Sequence, residues 1–208
     1  MARLHAPATC QARPTIGRIK VYSPQREHRE AFAREMSQTL DVEVVPVDSP
    51  EAAVRGADIV SCCTNSFRRP VLQGRWLEPG MFVSNVLAAE LDDEALGRID
   101  YSVKNQPFRD LAAHTFEAGS PPPDIGRPSE GRGWLRQATD RTPLLAQVIA
   151  GKAPGRTPPE QVTFFSNNEG TGIQFAAVGG EILARLKEAG HPGLKSVPLE
   201  WFLQDIPN

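Results

Sequence analysis

Four polar residues, Cys63, Thr64, Asn65 and Ser66, follow directly on residues 58–62, a run with no polar alternation. Such runs are how parallel strands covered on both faces read. In open α/β sheets, ligands bind in the crevice just outside the carboxyl ends of those strands. The four residues are therefore candidate ligand contacts, with an ordinary polar turn as the alternative. Asn85 and Val86 end the next apolar run, residues 81–86, and qualify by the same rule. Ser23 and Pro24 follow an earlier strand pattern and read as a helix cap with proline at the first helical position. A helix start of this kind also attracts anions, and Arg26 is placed to meet one. Either Ser23 only caps and Arg26 is solvated, or both contact a phosphate; the two roles are compatible.

Other chemistries find little support. His5, His28, His114 and His191 are scattered and show no ligand spacing with the cysteines, which argues against a metal site. The nucleophile-elbow pattern Gly-x-Ser-x-Gly and the redox pattern Cys-x-x-Cys are absent. No acid–base carboxylate pair can be argued from spacing, so no catalytic residue is named.

The elements that position these residues alternate regularly. Residues 16–22 alternate Ile19 and Val21 with Arg18 and Lys20, a strand signal. Phe32, Met36 and Leu40 then recur at helical spacing among charged residues, an amphipathic helix. Residues 42–47 form a short apolar strand. Ser49, Pro50 and Glu51 open a short helix that Gly56 stops, and residues 58–62 are the next strand. Residues 81–86 form another strand, 91–99 a short helix and 101–104 a short strand. Strand, helix, strand, helix, strand with short connections predicts a parallel α/β sheet. Ahead of it, residues 1–12 carry a weak helical pattern that Pro7 should disturb and Pro14 should end.

Residues 119–133 are rich in proline and glycine and read as a loop, with a lid over a site as the less favoured reading. Residues 142–150 predict a helix and 162–165 a strand. A last helix draws apolar positions from Ile173, Ala177, Ile182, Leu183 and Leu186, with Gly190 as its stop. The aromatic tail, Trp201, Phe202 and Leu203, should pack on something. The expected division is residues 1–106, a loop-rich segment 107–141 and a closing segment 142–208.

The 208 residues are 40% hydrophobic and 23% charged, ordinary globular values. A net charge of −2 with no basic block gives no reason to propose nucleic acid. No stretch approaches a membrane span, and the N-terminus has no apolar signal-peptide core. Cys10, Cys62 and Cys63 form no disulfide framework and read as reduced cytoplasmic thiols.

Taken together, RIKVYSPQREHREAFAREM, VEVVPVDSPEAAVRGADIV and PVLQGRWLEPGMFVSNV resemble the cofactor domain of the ornithine cyclodeaminase and mu-crystallin family. The later run VIAGKAPGRTPPEQVTFFSNNEGTGIQFAAVG resembles that family's closing segment. The resemblance implies an α/β, Rossmann-type, doubly wound and mostly parallel sheet with a C-terminal helical segment. It implies an oxidoreductase that uses NAD or NADP, acts on an amino acid or imine, and pairs as a homodimer. No acid ends the first strand pattern, and Arg26 leans the expectation toward NADP. The resemblance also places Asn168 near the nicotinamide, although Asn167, Asn168 and Glu169 read first as a helix cap.

Parts of that pattern are missing. No G-x-G-x-x-G turn and no first strand precede residues 16–22. Ala2 falls at the third small position of that turn, so residues 1–12 correspond to the helix after it. The family's N-terminal half is also absent. After Val86 the loop is short, no aspartate matches the one proposed to act on the substrate amine, and Glu90 reads as capping or flanking a helix. Phe175 stands where an acid is common. The expectation is an incomplete piece of an NAD(P)-dependent enzyme. The alternative is a non-catalytic dimerisation or regulatory subunit, possibly of an amine-oxidising system. In the order 3-2-1-4-5-6, strand one is central. Without it, its neighbours must pair directly, borrow a strand or remain unstable.

Overall fold

A computed structural model describes residues 1–64, 66, 69–87, 90–105, 142–166 and 171–192. The loop-rich segment 107–141 and the aromatic tail lie outside the described residues. The chain divides into two compact units, Met1–Glu169 and Gly170–Asn208.

In the first unit, helix α1 (Ala2–Ala12) leads to strand β1 (Arg18–Val21). Helix α2 (Arg26–Thr39), β2 (Glu43–Pro46), α3 (Pro50–Val54) and β3 (Ile59–Cys62) follow. A 3-10 turn (Gly74–Trp76) precedes β4 (Phe82–Asn85), α4 (Asp93–Gly97) and β5 (Tyr101–Val103). Helix α5 (Leu145–Ile149) and β6 (Thr163–Ser166) complete the unit. Every strand pairing is parallel. The strands form two sheets, however: β1-β2, and β3-β4-β6-β5.

Local chemistry explains most boundaries. Ser49 caps α3, its hydroxyl accepting from the Ala52 amide at 3.1 Å, with Pro50 behind it. Gly56 leaves that helix at a φ of +64°, where a side chain would be strained. Asp92 caps α4 through the Ala95 amide at 2.7 Å. Two expectations differ. Helix α1 continues through Pro7 rather than breaking there; the ring sits on a helix that packs Ala2 and Ala6 against the α2 cluster. Helix α2 starts two residues later than Pro24, with Gln25 as its N-cap and no side-chain cap bond. Ser23 instead offers its carbonyl to the Arg29 guanidinium at 3.1 Å.

Each sheet has its own core. The four-stranded sheet is built around Val60, Val83 and Phe164, with Leu72, Trp76, Leu77, Met81 and Leu96 packed against it. Val83 and Phe164 are 0% exposed, because they sit in the core cluster on β4 and β6, the two inner strands of the sheet. The smaller sheet holds only Phe32, Ala33, Met36 and Val44 in its buried cluster. In the second unit, α6 (Thr171–Glu188) carries an Arg185–Glu181 pair at 2.7 Å. It presents Phe175, Val178, Ile182 and Leu183 to solvent, and the chain leaves it through Gly190 at a φ of +57°. Among the described residues, no helix is long and apolar enough to cross a membrane.

Phe164→Ala is expected to lower stability by about 3–5 kcal/mol through lost contacts and a residual cavity. Gly74→Ala should also destabilise, because a Cβ there would lie 2.5 Å from the Ala95 amide nitrogen. Urea unfolding midpoints of the two variants check both.

Candidate functional site

The carboxyl ends of β3 and β4 are joined by one side chain, Glu90, whose residue is 0% exposed. Its Oε1 accepts from the Thr64 amide at 2.7 Å and from the Thr64 hydroxyl at 2.5 Å. Its Oε2 accepts from the Val86 amide at 2.9 Å and the Leu87 amide at 2.8 Å. The Glu90 carbonyl takes the Val71 and Leu72 amides at 2.8 and 2.9 Å. Four donors on an acceptor-only group satisfy buried backbone that the ends of a sheet otherwise leave open. Glu90 therefore does cap, as its sequence context suggests, but it caps two strand ends rather than a helix.

Asn85 ends β4 and is 2% exposed. Its side-chain amide donates to the Leu87 carbonyl at 2.7 Å. Its Oδ1 is buried and has no hydrogen-bond partner among the described residues. A buried carbonyl oxygen without a donor is costly, and a ligand N–H relieves that cost. Val86 also donates to the Cys62 carbonyl at 3.1 Å, closing the β3–β4 ladder. The Ser66 hydroxyl donates to the Arg69 carbonyl at 2.6 Å, and the Ser66 amide to the Thr64 hydroxyl at 3.3 Å. Thr64, Ser66, Asn85 and Val86 thus belong to one hydrogen-bonded cluster. Asn65 and Asn168 lie outside the described residues.

Cys62 and Cys63 are both free thiols. Burial raises each thiol, Glu90 adds to it, and Cys63 is pushed up to about 11. Neither sits in the electropositive setting that makes a reactive thiolate. Among the described residues no cluster of histidine, cysteine or carboxylate could hold a metal.

Ser23 and Arg26 lie at the carboxyl end of β1, on the other sheet. Arg26 pairs with Glu30 at 2.7 Å on an exposed helix face. That partner's hydrogen bond and charge raise the guanidinium further and hold Glu30 below the usual carboxylate range. Exposed pairs at this spacing contribute little, so an arriving phosphate can compete for Arg26. Arg29 holds the strand ends together: it contacts Asp48 at 2.6 Å, the Ser23 carbonyl, and the Tyr22 ring at 5.9 Å.

The sequence gives Glu90 a capping or helix-flanking role but no signal that it joins two strand ends, and it gives Arg29 no role. Arg29 shares a helix face with Arg26, three residues on.

The family model for the ornithine cyclodeaminase/mu-crystallin family matches residues 1–188. The chain belongs to that family. It is 32% identical over 196 residues to a putative dehydrogenase of Rhizobium meliloti, covering 90% of this chain and 54% of that protein. The fold is similar to Δ1-pyrroline-2-carboxylate reductase of Thermococcus litoralis, solved in complex with NADH and L-proline. There the TM-score is 0.62 at 27% identity, covering 79% of this chain and 49% of that one. A probable ornithine cyclodeaminase from Bordetella pertussis Tohama I gives a TM-score of 0.60 at 26% identity, covering 87% and 54%. The chain spans about half the length of these relatives. Parallel sheets, crossover helices and these neighbours establish the expected Rossmann-type α/β fold.

Glu90→Ala removes the acceptor from four donors, of which Val86 keeps the Cys62 carbonyl, and is expected to cost at least ~3 kcal/mol. Glu90→Gln keeps one acceptor but turns an NH2 toward amide donors, so it should fall between the two; urea unfolding orders them. A second expectation concerns pH. A raised thiol favours the neutral form in the folded state. Its stabilising contribution is complete below the ordinary thiol range and is lost as pH rises through about 11. At pH 8, Cys63 should alkylate about a hundredfold more slowly than in the denatured chain, read by mass spectrometry of its peptide.

Proposed function

We propose that this chain is the cofactor-facing portion of an NAD(P)-dependent oxidoreductase of the cyclodeaminase and mu-crystallin type, acting on an amino acid or imine. The observation that carries the reading is the buried, partnerless Asn85 Oδ1 at the carboxyl end of β4, in a family member whose structural neighbour was solved with NADH. Asn85 and the Thr64–Glu90 cluster would face the nicotinamide and its ribose. Ser23 and Arg26 would meet the adenosine side, where the arginine favours the phosphate of NADP. When bound, the nicotinamide supplies hydride transfer. The protein's part is to hold one acceptor, Asn85 Oδ1, and two strand ends in fixed positions, which orients the ring without reorganisation.

No G-x-G-x-x-G pattern stands in the sequence ahead of β1, and the chain spans about half the length of the relatives it matches. We therefore read the chain as a piece of a larger, cytoplasmic, dimeric enzyme, with little activity on its own. A second reading, a non-catalytic dimerisation or regulatory subunit, draws support from the exposed apolar side chains of α6, Phe175, Val178, Ile182 and Leu183.

Titration with NADPH and NADH, followed by amide NMR, separates these. The expected result is weak binding, with a Kd of about 1 mM or above. Shifts should appear at Thr64, Asn85 and Val86, and with NADPH also at Arg26. No shift at the β3 and β4 ends with either nucleotide would overturn the cofactor role and leave the subunit reading. Submicromolar affinity would overturn the incompleteness.

A further inference from the structure

The Arg29–Asp48 pair is lopsided. Its side chains meet at 2.6 Å, but that of Arg29 is 11% exposed and that of Asp48 is 96% exposed. An ordinary surface ion pair has two mobile partners and is worth little. Here only the anion is mobile. The Arg29 guanidinium is fixed from its other sides. Nη1 donates to the Ser23 carbonyl at 3.1 Å, and Cζ stands 5.9 Å from the centre of the Tyr22 ring. A planar guanidinium held by a carbonyl and an aromatic face keeps its direction when one partner leaves. Asp48 occupies the remaining terminal nitrogen, Nη2.

The pair stands where a ligand of this sheet would arrive. Ser23 follows the end of β1 by two residues, and Asp48 follows the end of β2 by two. Both therefore lie at carboxyl ends of parallel strands. Helix α2 starts at the same end, and its N-cap, Gln25, makes no side-chain cap bond. Its first-turn amides thus lack a side-chain acceptor.

The charges around this point cancel. Arg26 pairs with Glu30, and Arg29 with Asp48. The Arg26 guanidinium is raised chiefly by the hydrogen bond and charge of Glu30, and the charge of Asp48 adds to it, so Asp48 acts on both arginines. A phosphomonoester carries about −1.5 to −2 near pH 7 and finds no net positive charge here until a carboxylate leaves. Glu30 is tied to Arg26 within one helix. Asp48 gives up no buried contact when it swings into water, so Asp48 is the carboxylate that yields.

We infer that Arg29 is an exchangeable anion site: Asp48 is its resident counter-ion, and a phosphomonoester displaces Asp48 and takes its place on the guanidinium. The inference rests on the proposed cofactor reading for one source of that ligand, the 2′-phosphate of NADP; free phosphate has the same chemistry. A ribose with a 2′-hydroxyl leaves Asp48 in place. Discrimination between the two nucleotides is then set by how readily Asp48 leaves, and Arg26, exposed and paired within its own helix, is secondary.

The test titrates the 208-residue chain with adenosine 2′-monophosphate, adenosine and inorganic phosphate, following the Arg29 Nε–H and the backbone amides by NMR. None of these probes carries a nicotinamide. Asp48→Asn is nearly isosteric at an exposed position, so the variant should fold, which its thermal melt checks. It should bind adenosine 2′-monophosphate at least about tenfold more tightly, the equivalent of one charge-assisted hydrogen bond, with adenosine unchanged. Adding Arg29→Gln should remove that gain; should this second change unfold the chain, the Asp48→Asn comparison decides alone. Inorganic phosphate binding as tightly as the nucleotide supports the exchange site with free phosphate as its ligand, and weaker phosphate binding supports the nucleotide. The inference is overturned if Asp48→Asn leaves the affinity for adenosine 2′-monophosphate unchanged, or if adenosine gains as much. Such a failure, with Thr64, Asn85 and Val86 still shifting on NADH, leaves the cofactor reading standing; the converse result removes that reading and keeps the anion site.

Discussion

A parallel strand must satisfy its backbone on two edges, and β1 and β3 each do so on one. The rest of the first unit is arranged around that constraint. The order 3-2-1-4-5-6 places one strand between these two. The structure does not resolve the gap by bringing β1 and β3 together. Helix α1 packs on α2 through Ala2 and Ala6, and Arg3 reaches Glu35 at 2.6 Å, which holds the helix beside the gap. The Lys20 ammonium bonds the Arg55 carbonyl, spanning from β1 to the turn that leads into β3. Side chains and one helix keep the two edges at a distance that a direct ladder would close.

The order of elements was legible because period and capping agree at each step. Phe32 and Met36 are buried at the spacing that marked them, and Ser49 caps where its sequence context placed it. Helix α2 was harder to start. Ser-Pro carries a cap signal, but Arg29 draws the Ser23 carbonyl into a contact from later in the helix, and tertiary contact overrode the local preference. The site was legible only in outline. The carboxyl-end rule pointed to Thr64, Asn85 and Val86, which the structure gathers in one hydrogen-bonded cluster at the ends of β3 and β4, because the rule depends on sheet topology alone. It could not find Glu90, whose role depends on a loop folding back so that one carboxylate meets two strand ends. Nor could it weigh Arg26, whose partner Glu30 lies one helical turn away.

The two walls of the site also rest on different foundations. The β3–β4 wall belongs to the larger core, where Val83 and Phe164 are fully buried and Glu90 ties the strand ends by four bonds. Its geometry is fixed without help from β1 or β2. The Ser23–Arg26 wall stands on a two-stranded sheet with four buried core residues and mostly exposed ion pairs. Such pairs contribute little each, and an isolated two-stranded sheet is marginal. Local opening follows the number of buried contacts, so the wall that would read the adenosine end is the one that opens first. On the proposed reading, orientation of the nicotinamide would rest on the larger core, and the choice between NAD and NADP would rest on the smaller sheet.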